Sequence, residues 1–317
     1  MTDTVAASGK IQETQMHRYR STRGINHDSV AWKLWEKSKK LFWDPADIDW
    51  SQDTTDWAGM TQEERLPFAL SARGFMVGEE AVTLDIVPLL RAMSDLGRLE
   101  DTLYLSMFVM EEAKHTDMFR RWFDAIGYDP SELDDIVRAQ ADASQAPNAR
   151  RGGVFDGELT RVMQRLDTDR SPEAILDATL VYNQLVEGVA AINGYHRWNL
   201  LFRATEKMPG LEAGLKLTRR DEARHISYGT YLGRRIIAEN PELWDFVERR
   251  WAELTEGYGQ AYGGPAQAQV PGYDVEFRDG LIKRRLAALA VARNMSPQDV
   301  DRARVDDFVP EELASVD

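Results

Sequence analysis

The sequence predicts an all-α protein built on a long central four-helix bundle, and three observations carry that expectation. Two near-identical stretches, Glu111-Glu112-Ala113-Lys114-His115 and Asp221-Glu222-Ala223-Arg224-His225, stand 110 residues apart. Each sets a carboxylate and an imidazole three residues apart, which on a helix is one face and about one turn. Each also has an acidic partner upstream at a matched distance. Glu79, or its neighbour Glu80, precedes Glu112 by 33 residues in the case of Glu79, and Glu187 precedes Glu222 by 35. Finally, cap and stop signals delimit long helices around all four positions.

Taken in order, the first helix is expected over Ser29 to Lys40, with Trp32, Leu34 and Trp35 partly buried. It ends at Phe42-Trp43-Asp44-Pro45, where proline stops helical continuation. Thr61 and Glu64 form a capping box that opens a helix reaching about Ser94, and Pro88 inside it removes the bond to the Leu84 carbonyl and predicts a kink. A second long helix runs from Leu99 to Ile126 and stops at Gly127. Ser131 to Ala143 starts another, broken by the Gly, Pro and Asn between Ala146 and Gly153. Ser171-Pro172 caps a helix that continues to Thr205, and Leu211 to Glu239 carries the second repeat, ending before Pro241. Glu242 to Tyr258 and Leu281 to Arg293 are accessory helices, joined by a Gly/Pro/Ala/Gln-rich connector over Tyr262 to Tyr273. The domain organisation expected is a loose polar arm over 1–25, one helical domain over 26–295 and an acidic tail over 296–317.

Composition narrows the function classes. A net charge of −14 argues against nucleic acid and anionic membranes as partners. No run of about 18 apolar residues exists, so no membrane span is expected. The chain has no cysteine, hence no disulfide, thiolate ligand or cysteine nucleophile. The N-terminus lacks the apolar stretch of a signal peptide, so a cytoplasmic enzyme is expected.

Four Glu and two His from four helices are the ligand set of a di-iron or di-manganese carboxylate bundle. Only five histidines exist (His17, His27, His115, His196 and His225), and two of them occupy the matching repeats. Four carboxylates neutralise two divalent ions, which makes such a site tolerable in a core and leaves coordination positions for dioxygen. The outer acids, Glu111 and Asp221, are placed to hold the far ring nitrogens of ligating histidines.

Phe42-Trp43-Asp44-Pro45, the Glu-x-x-His pair and Asp221-Glu222-x-x-His225 together resemble the small subunit of class I ribonucleotide reductase. Gly78-Glu79-Glu80-Ala81-Val82-Thr83, Glu111 to Thr116 and Tyr182-Asn183-x-x-Val186-Glu187-Gly188 more closely resemble the ligand-binding oxidases related to it. The resemblance spans about Trp43 to Arg235. It implies a ferritin-like bundle with additional helices and metal ligands Glu79, Glu112, His115, Glu187, Glu222 and His225. Spacing alone does not separate Glu79 from Glu80; the motif selects Glu79.

The resemblance further implies a manganese ion and an iron ion, with manganese on the Glu79 and His115 side and a di-iron pair as the variant occupancy. It implies a two-electron oxidase acting on C–H bonds with dioxygen, a Tyr182–Val82 ether crosslink, and a long-chain fatty acid or similar lipid-like ligand at the metals. Phe75, Met76, Phe108, Met110, Leu185 and Ile192 are candidates to line a tunnel for its tail. Trp43, Asp221 and His115 resemble an electron route to the metals from an unknown donor, Tyr195 is a candidate hydrogen-bonding neighbour, and a homodimer is implied.

Two readings compete. Against a radical-generating reductase subunit of the manganese/iron type, Phe119 stands where the usual radical tyrosine lies, a position some manganese/iron subunits also leave without tyrosine, and the tail tyrosine that passes the radical onwards is missing, since no tyrosine follows Tyr273. A soluble acyl-carrier-protein desaturase shares the paired motif but not the Tyr182 motif or the Trp43 segment.

Overall fold

A computed structural model describes residues 24–143, 154–262 and 274–313; among them every regular element is helical. The helices are α1 Val30–Lys40, α2 Ser51–Gly59, α3 Gln62–Asp85, α4 Val87–Asp95, α5 Leu99–Ile126, α6 Asp134–Ala143, α7 Thr160–Arg165, α8 Pro172–Thr205, α9 Pro209–Glu239, α10 Trp244–Tyr262, α11 Val275–Ala290 and α12 Pro297–Arg302. The polar arm up to residue 23, the break after Ala143 and the connector after Tyr262 lie outside the described residues.

Local chemistry sets most boundaries. Ser29 Oγ accepts from Trp32 N at the start of α1. At α3, Thr61 and Glu64 exchange side-chain bonds with each other's backbone N–H, the capping box read from sequence. The expected kink at Pro88 is a full break: α3 stops at Asp85, Ile86 forms the joint and α4 restarts with Pro88 in its first turn. Proline cannot donate to the Leu84 carbonyl, and Leu89 N turns to Ile86 O, three residues back, instead of to Asp85 O. Gly127 ends α5 at φ +66° in the left-handed region, with Tyr128 N bonded back to Phe123 O.

Two features were not anticipated. Helix α2 is short and polar, and only Asp53 and Trp57 are buried, so it carries no periodic signal of its own. Its role lies across the fold. The Asp53 carboxylate accepts from Gly210 N, Leu211 N and Trp122 Nε1, and Asp56 accepts from Met208 N. These bonds cap α9, whose own N-cap residue Met208 sits at φ +63° and makes no side-chain cap. The second feature is that α8 is π-helical over Leu180–Ala191. A π segment shifts the register of every later residue, and such segments occur often at functional sites.

Helix α9 is the centre of the bundle and is buried almost continuously from Thr218 to Ala238. It packs very closely on the π segment, and only a glycine fits there: a Cβ on Gly229 would stand 2.0 Å from Asn183 Cβ. Two apolar clusters fill the interior. Along α3 membership changes from one cluster at Ala72 to the other at Val82; along α5 it changes between Met118 and Phe108; along α9 it changes between Leu215 and Ala223. The polar residues of both repeats and Glu79 lie at these crossings. Helix α8 meets the membrane-crossing criterion by length and mean hydropathy of 1.2, yet 89% of that window is buried inside the protein, as in a core helix. Residues 296–313, read from sequence as an acidic tail, bury Val300, Phe308 and Leu313 in the larger cluster.

Replacing Asp53 by Ala leaves three buried donors without an acceptor and is expected to lower stability by about 2–3 kcal/mol, with Asp53→Asn milder, in urea unfolding. Gly229→Ala forces overpacking against Asn183 and is expected to cost about 3 kcal/mol by the same measurement.

Candidate metal centre

The six expected ligands converge. Glu79, Glu112, His115 and Glu222 form one group and Glu112, Glu187, Glu222 and His225 a second, each with ligand atoms within 4.8 Å of one another and all buried. Glu112 and Glu222 belong to both groups, as a pair shared between two ions would. Glu80, by contrast, is exposed, because the next residue on a helix points about a quarter-turn away. The remaining described histidines lie elsewhere: His27 packs on Trp32 and His196 stacks on Phe277. His17 is outside the described residues.

The second layer is built by exchange between the repeats. His115 Nε2 lies 3.2 Å from Asp221 Oδ2, and His225 Nε2 lies 2.9 Å from Glu111 Oε2. Each repeat's outer acid therefore holds the histidine of the other repeat, and both Nδ1 atoms face the glutamates. His115 Nδ1 is 3.3 Å from Glu112 and 3.4 Å from Glu79; His225 Nδ1 is 3.1 Å from Glu112 and 3.5 Å from Glu222. The basic residues cross as well. Lys114 Nζ pairs with Asp221 Oδ2 at 2.7 Å, and Arg224 Nη2 donates to Glu111 at 2.6 Å and Asp221 at 2.5 Å while its Nε donates to Ser38. The sequence reading left Lys114 and Arg224 without a role; their equivalent places in both repeats were the signal for one.

Trp43 Nε1 donates to Asp221 Oδ2 at 2.7 Å, and its ring stacks on His115 with centroids 6.2 Å apart. Tyr182 OH donates to Glu112 Oε1 at 3.0 Å, and Asn183 Nδ2 donates to Glu187 Oε2 at 2.9 Å. Tyr195 OH reaches Glu222 Oε1 only at 3.5 Å. Phe108 stacks on His225 at 3.6 Å. Among the six apolar residues expected near the ligands, Phe108, Leu185 and Ile192 are buried and Phe75 and Met76 half-buried. Met110 is 49% exposed and does not line the interior; two residues before Glu112, it lies about 200° around α5.

The electrostatics fit a pair of cations. Burial pushes the carboxyls of Glu79, Glu187 and Glu222 up, reinforced at Glu187 by Glu222 and at Glu222 by Glu112. At Glu112 burial is outweighed by His225 and His115, which hold it below the carboxylate range. Burial alone would lower both imidazoles; Asp221, Glu112 and Glu79 raise His115, and Glu112 and Glu111 raise His225. The centre thus draws positive charge inward. Glu112 Oε2, His115 Nδ1, Glu187 Oε1, Glu222 Oε2 and His225 Nδ1 are buried and make no hydrogen bond. Donor atoms left free in this way, with four carboxylates and two imidazoles, match two oxygen- and nitrogen-preferring ions of the first transition row.

Known proteins share this chain's sequence pattern and fold. The ribonucleotide reductase small-chain family matches residues 25–255. An R2-like ligand-binding oxidase from Sulfolobus acidocaldarius is 37% identical, superposes with a TM-score of 0.74 and aligns over 89% of this chain and 98% of its own. An R2-like ligand-binding oxidase with an aerobically reconstituted Mn/Fe cofactor is 34% identical, with a TM-score of 0.71 over 88% of this chain and 97% of its own. A point variant of such an oxidase with an anaerobically reconstituted Mn/Fe cofactor is 32% identical, with a TM-score of 0.73 over 90% and 98%.

Because Glu112 serves both groups and Glu79 one, Glu112→Ala is expected to lose both ions and Glu79→Ala to retain about one per chain, read by metal analysis after desalting.

Proposed function

The chain belongs to the ribonucleotide reductase small-chain family and, within it, to the R2-like ligand-binding oxidases, and on that premise we propose that it is a manganese/iron oxidase that uses dioxygen for two-electron C–H oxidation. It is an oxidoreductase with a buried carboxylate and histidine metal centre. In this reading Glu79, Glu112, His115, Glu187, Glu222 and His225 hold the ions, manganese on the Glu79 and His115 side. When bound, the two ions supply the redox capacity that reduces dioxygen and withdraws electrons from C–H and O–H bonds. The single observation that carries the reading is the placement of Tyr182 OH on Glu112, a carboxylate common to both ligand groups.

The protein's own groups prepare a crosslink between Tyr182 and Val82. Burial, followed by Glu112 and Glu187, raises the Tyr182 phenol well above its ordinary range, so it stays protonated at neutral pH. Glu112 Oε1, its acceptor, is placed to receive that proton. Val82 lies one turn after Glu79 on α3 and shares a buried apolar cluster with Tyr182. Crosslinking would break the tyrosine O–H and the valine Cβ–H and form an ether C–O bond, with dioxygen taking up the two electrons and two protons released; the ions held by the six ligands would supply the oxidising capacity.

A long-chain fatty acid-like ligand would place its carboxylate at the ions and its tail against Phe108, Leu185 and Ile192, whose burial supports the assignment. Trp43, Asp221 and His115 form the inward electron route from a separate donor, supported by their continuous contacts. Tyr195, near Glu222, orients that carboxylate. Pairing of two copies is supported by the exposure of Val77, Leu84 and Met110 on α3 and α5. Phe119 is fully buried against Phe75 and offers no phenol for a stable radical of the usual tyrosyl kind.

After loading with manganese and iron in air, intact-protein mass is expected to fall by two hydrogens in the wild type and to stay unchanged in Tyr182→Phe. An unchanged wild-type mass with both metals bound overturns the crosslink.

A further inference from the structure

Lys114 is a buried cation that the oxidase chemistry above does not use. Its side chain is 2% exposed, and Nζ sits 4.5 Å from the centroid of the Trp43 ring, 4.9 Å from that of Phe42 and 2.7 Å from Asp221 Oδ2. That same oxygen accepts the Trp43 N–H and adjoins His115 Nε2. Arg224, the other cation on Asp221, reaches it from the Ser38 and Glu111 side. Lys114 is therefore the charge laid against the indole. Phe42 is 46% exposed while Trp43 is 8% exposed, so the ammonium lies where the route passes from surface to interior.

An ammonium on an aromatic face is attracted to the neutral ring and repelled once the ring becomes positive. In a site this buried the repulsion is poorly screened. We infer that Lys114 is a positioning residue that acts through Trp43, holding the indole against one-electron oxidation so that oxidising equivalents made at the metals go to buried C–H and O–H bonds. The inference rests on the oxidase reading. The step it opposes is the loss of one electron from the indole to the dioxygen-oxidised metal pair; no bond breaks, and the N–H stays donated to Asp221. An external one-electron donor then returns the electron whenever the step occurs.

The first test needs no metal. Metal-free protein is exposed to photogenerated ruthenium(III) tris-bipyridine, and oxidation at each tryptophan is read by peptide mass spectrometry, with Trp57, 5% exposed, as the internal control. Lys114→Met and Lys114→Gln are expected to raise Trp43 oxidation relative to Trp57 by about tenfold, and Lys114→Arg to stay near the wild type. An unchanged ratio in both neutral variants overturns the inference, as does an equal rise at Trp57, which would mark loosened packing. In the metal-loaded enzyme mixed with air, freeze-quench paramagnetic resonance is expected to show a transient tryptophan radical in Lys114→Met that is absent in Lys114→Arg. If wild-type protein binds no metal or consumes no dioxygen, the oxidase reading fails, while the metal-free ratio still decides whether Lys114 protects Trp43.

Discussion

Four glutamates buried within one bundle are the constraint on which the rest of this structure depends. Carboxylates that close repel one another, and burial removes the water that would screen them. They are tolerable only if positive charge is brought to the same place, and the protein does this in two layers. The inner layer is two imidazoles whose Nδ1 atoms face the glutamates, leaving buried oxygen and nitrogen atoms without hydrogen bonds that could hold cations. The outer layer is Lys114 and Arg224, which neutralise Asp221 and Glu111 where these hold the far sides of the imidazoles.

That outer layer explains why the two repeats match at four polar positions rather than two. Although an outer acid stands only four residues before the histidine of its own repeat, each acid bonds the histidine of the other repeat rather than its own. Two helices that exchange acids in this way are tied by both. Glu111 serves His225, Asp221 serves His115, and Arg224 closes the loop between them. Ligand orientation and the packing of α5 on α9 are the same set of bonds. The asymmetry of the repeats then has a function: Lys114, not Arg224, lies against Trp43, and Trp43 enters only the Asp221 side.

Helix α8 completes the centre by a different device. Its π segment carries Tyr182, Asn183 and Glu187, and Asn183 both holds Glu187 and fills the space over Gly229. Tyr182 is thereby set on Glu112, at the edge of an apolar cluster that also contains Val82. The carboxylate layer separates the two apolar clusters, so the centre is bounded on both sides by packed side chains.

The all-α class, the helix ends at Ser29, Thr61, Gly127 and Ser171, and the six residues now grouped at the centre were legible in the sequence, because caps and Glu-x-x-His spacing are local signals. Glu79 could be told from Glu80 only by a motif, and the fold supplies the reason in their opposite burial. The α3–α4 break was readable as a kink but not as a break, since proline removes a bond without dictating how neighbours answer. Helix α2, the π segment and the exposure of Met110 had no readable mark. Asp53 is one polar residue in a polar helix until it meets the start of α9, and a π register is chosen by what packs against the helix. The sequence by itself marked the two Glu-x-x-His pairs as possible ligands, because they lie one turn apart on one helix, and joined Glu79 and Glu187 to them by matched spacing and motif. Only the tertiary structure decided which acid serves which histidine and which cation guards Trp43, because those bonds join residues on different helices.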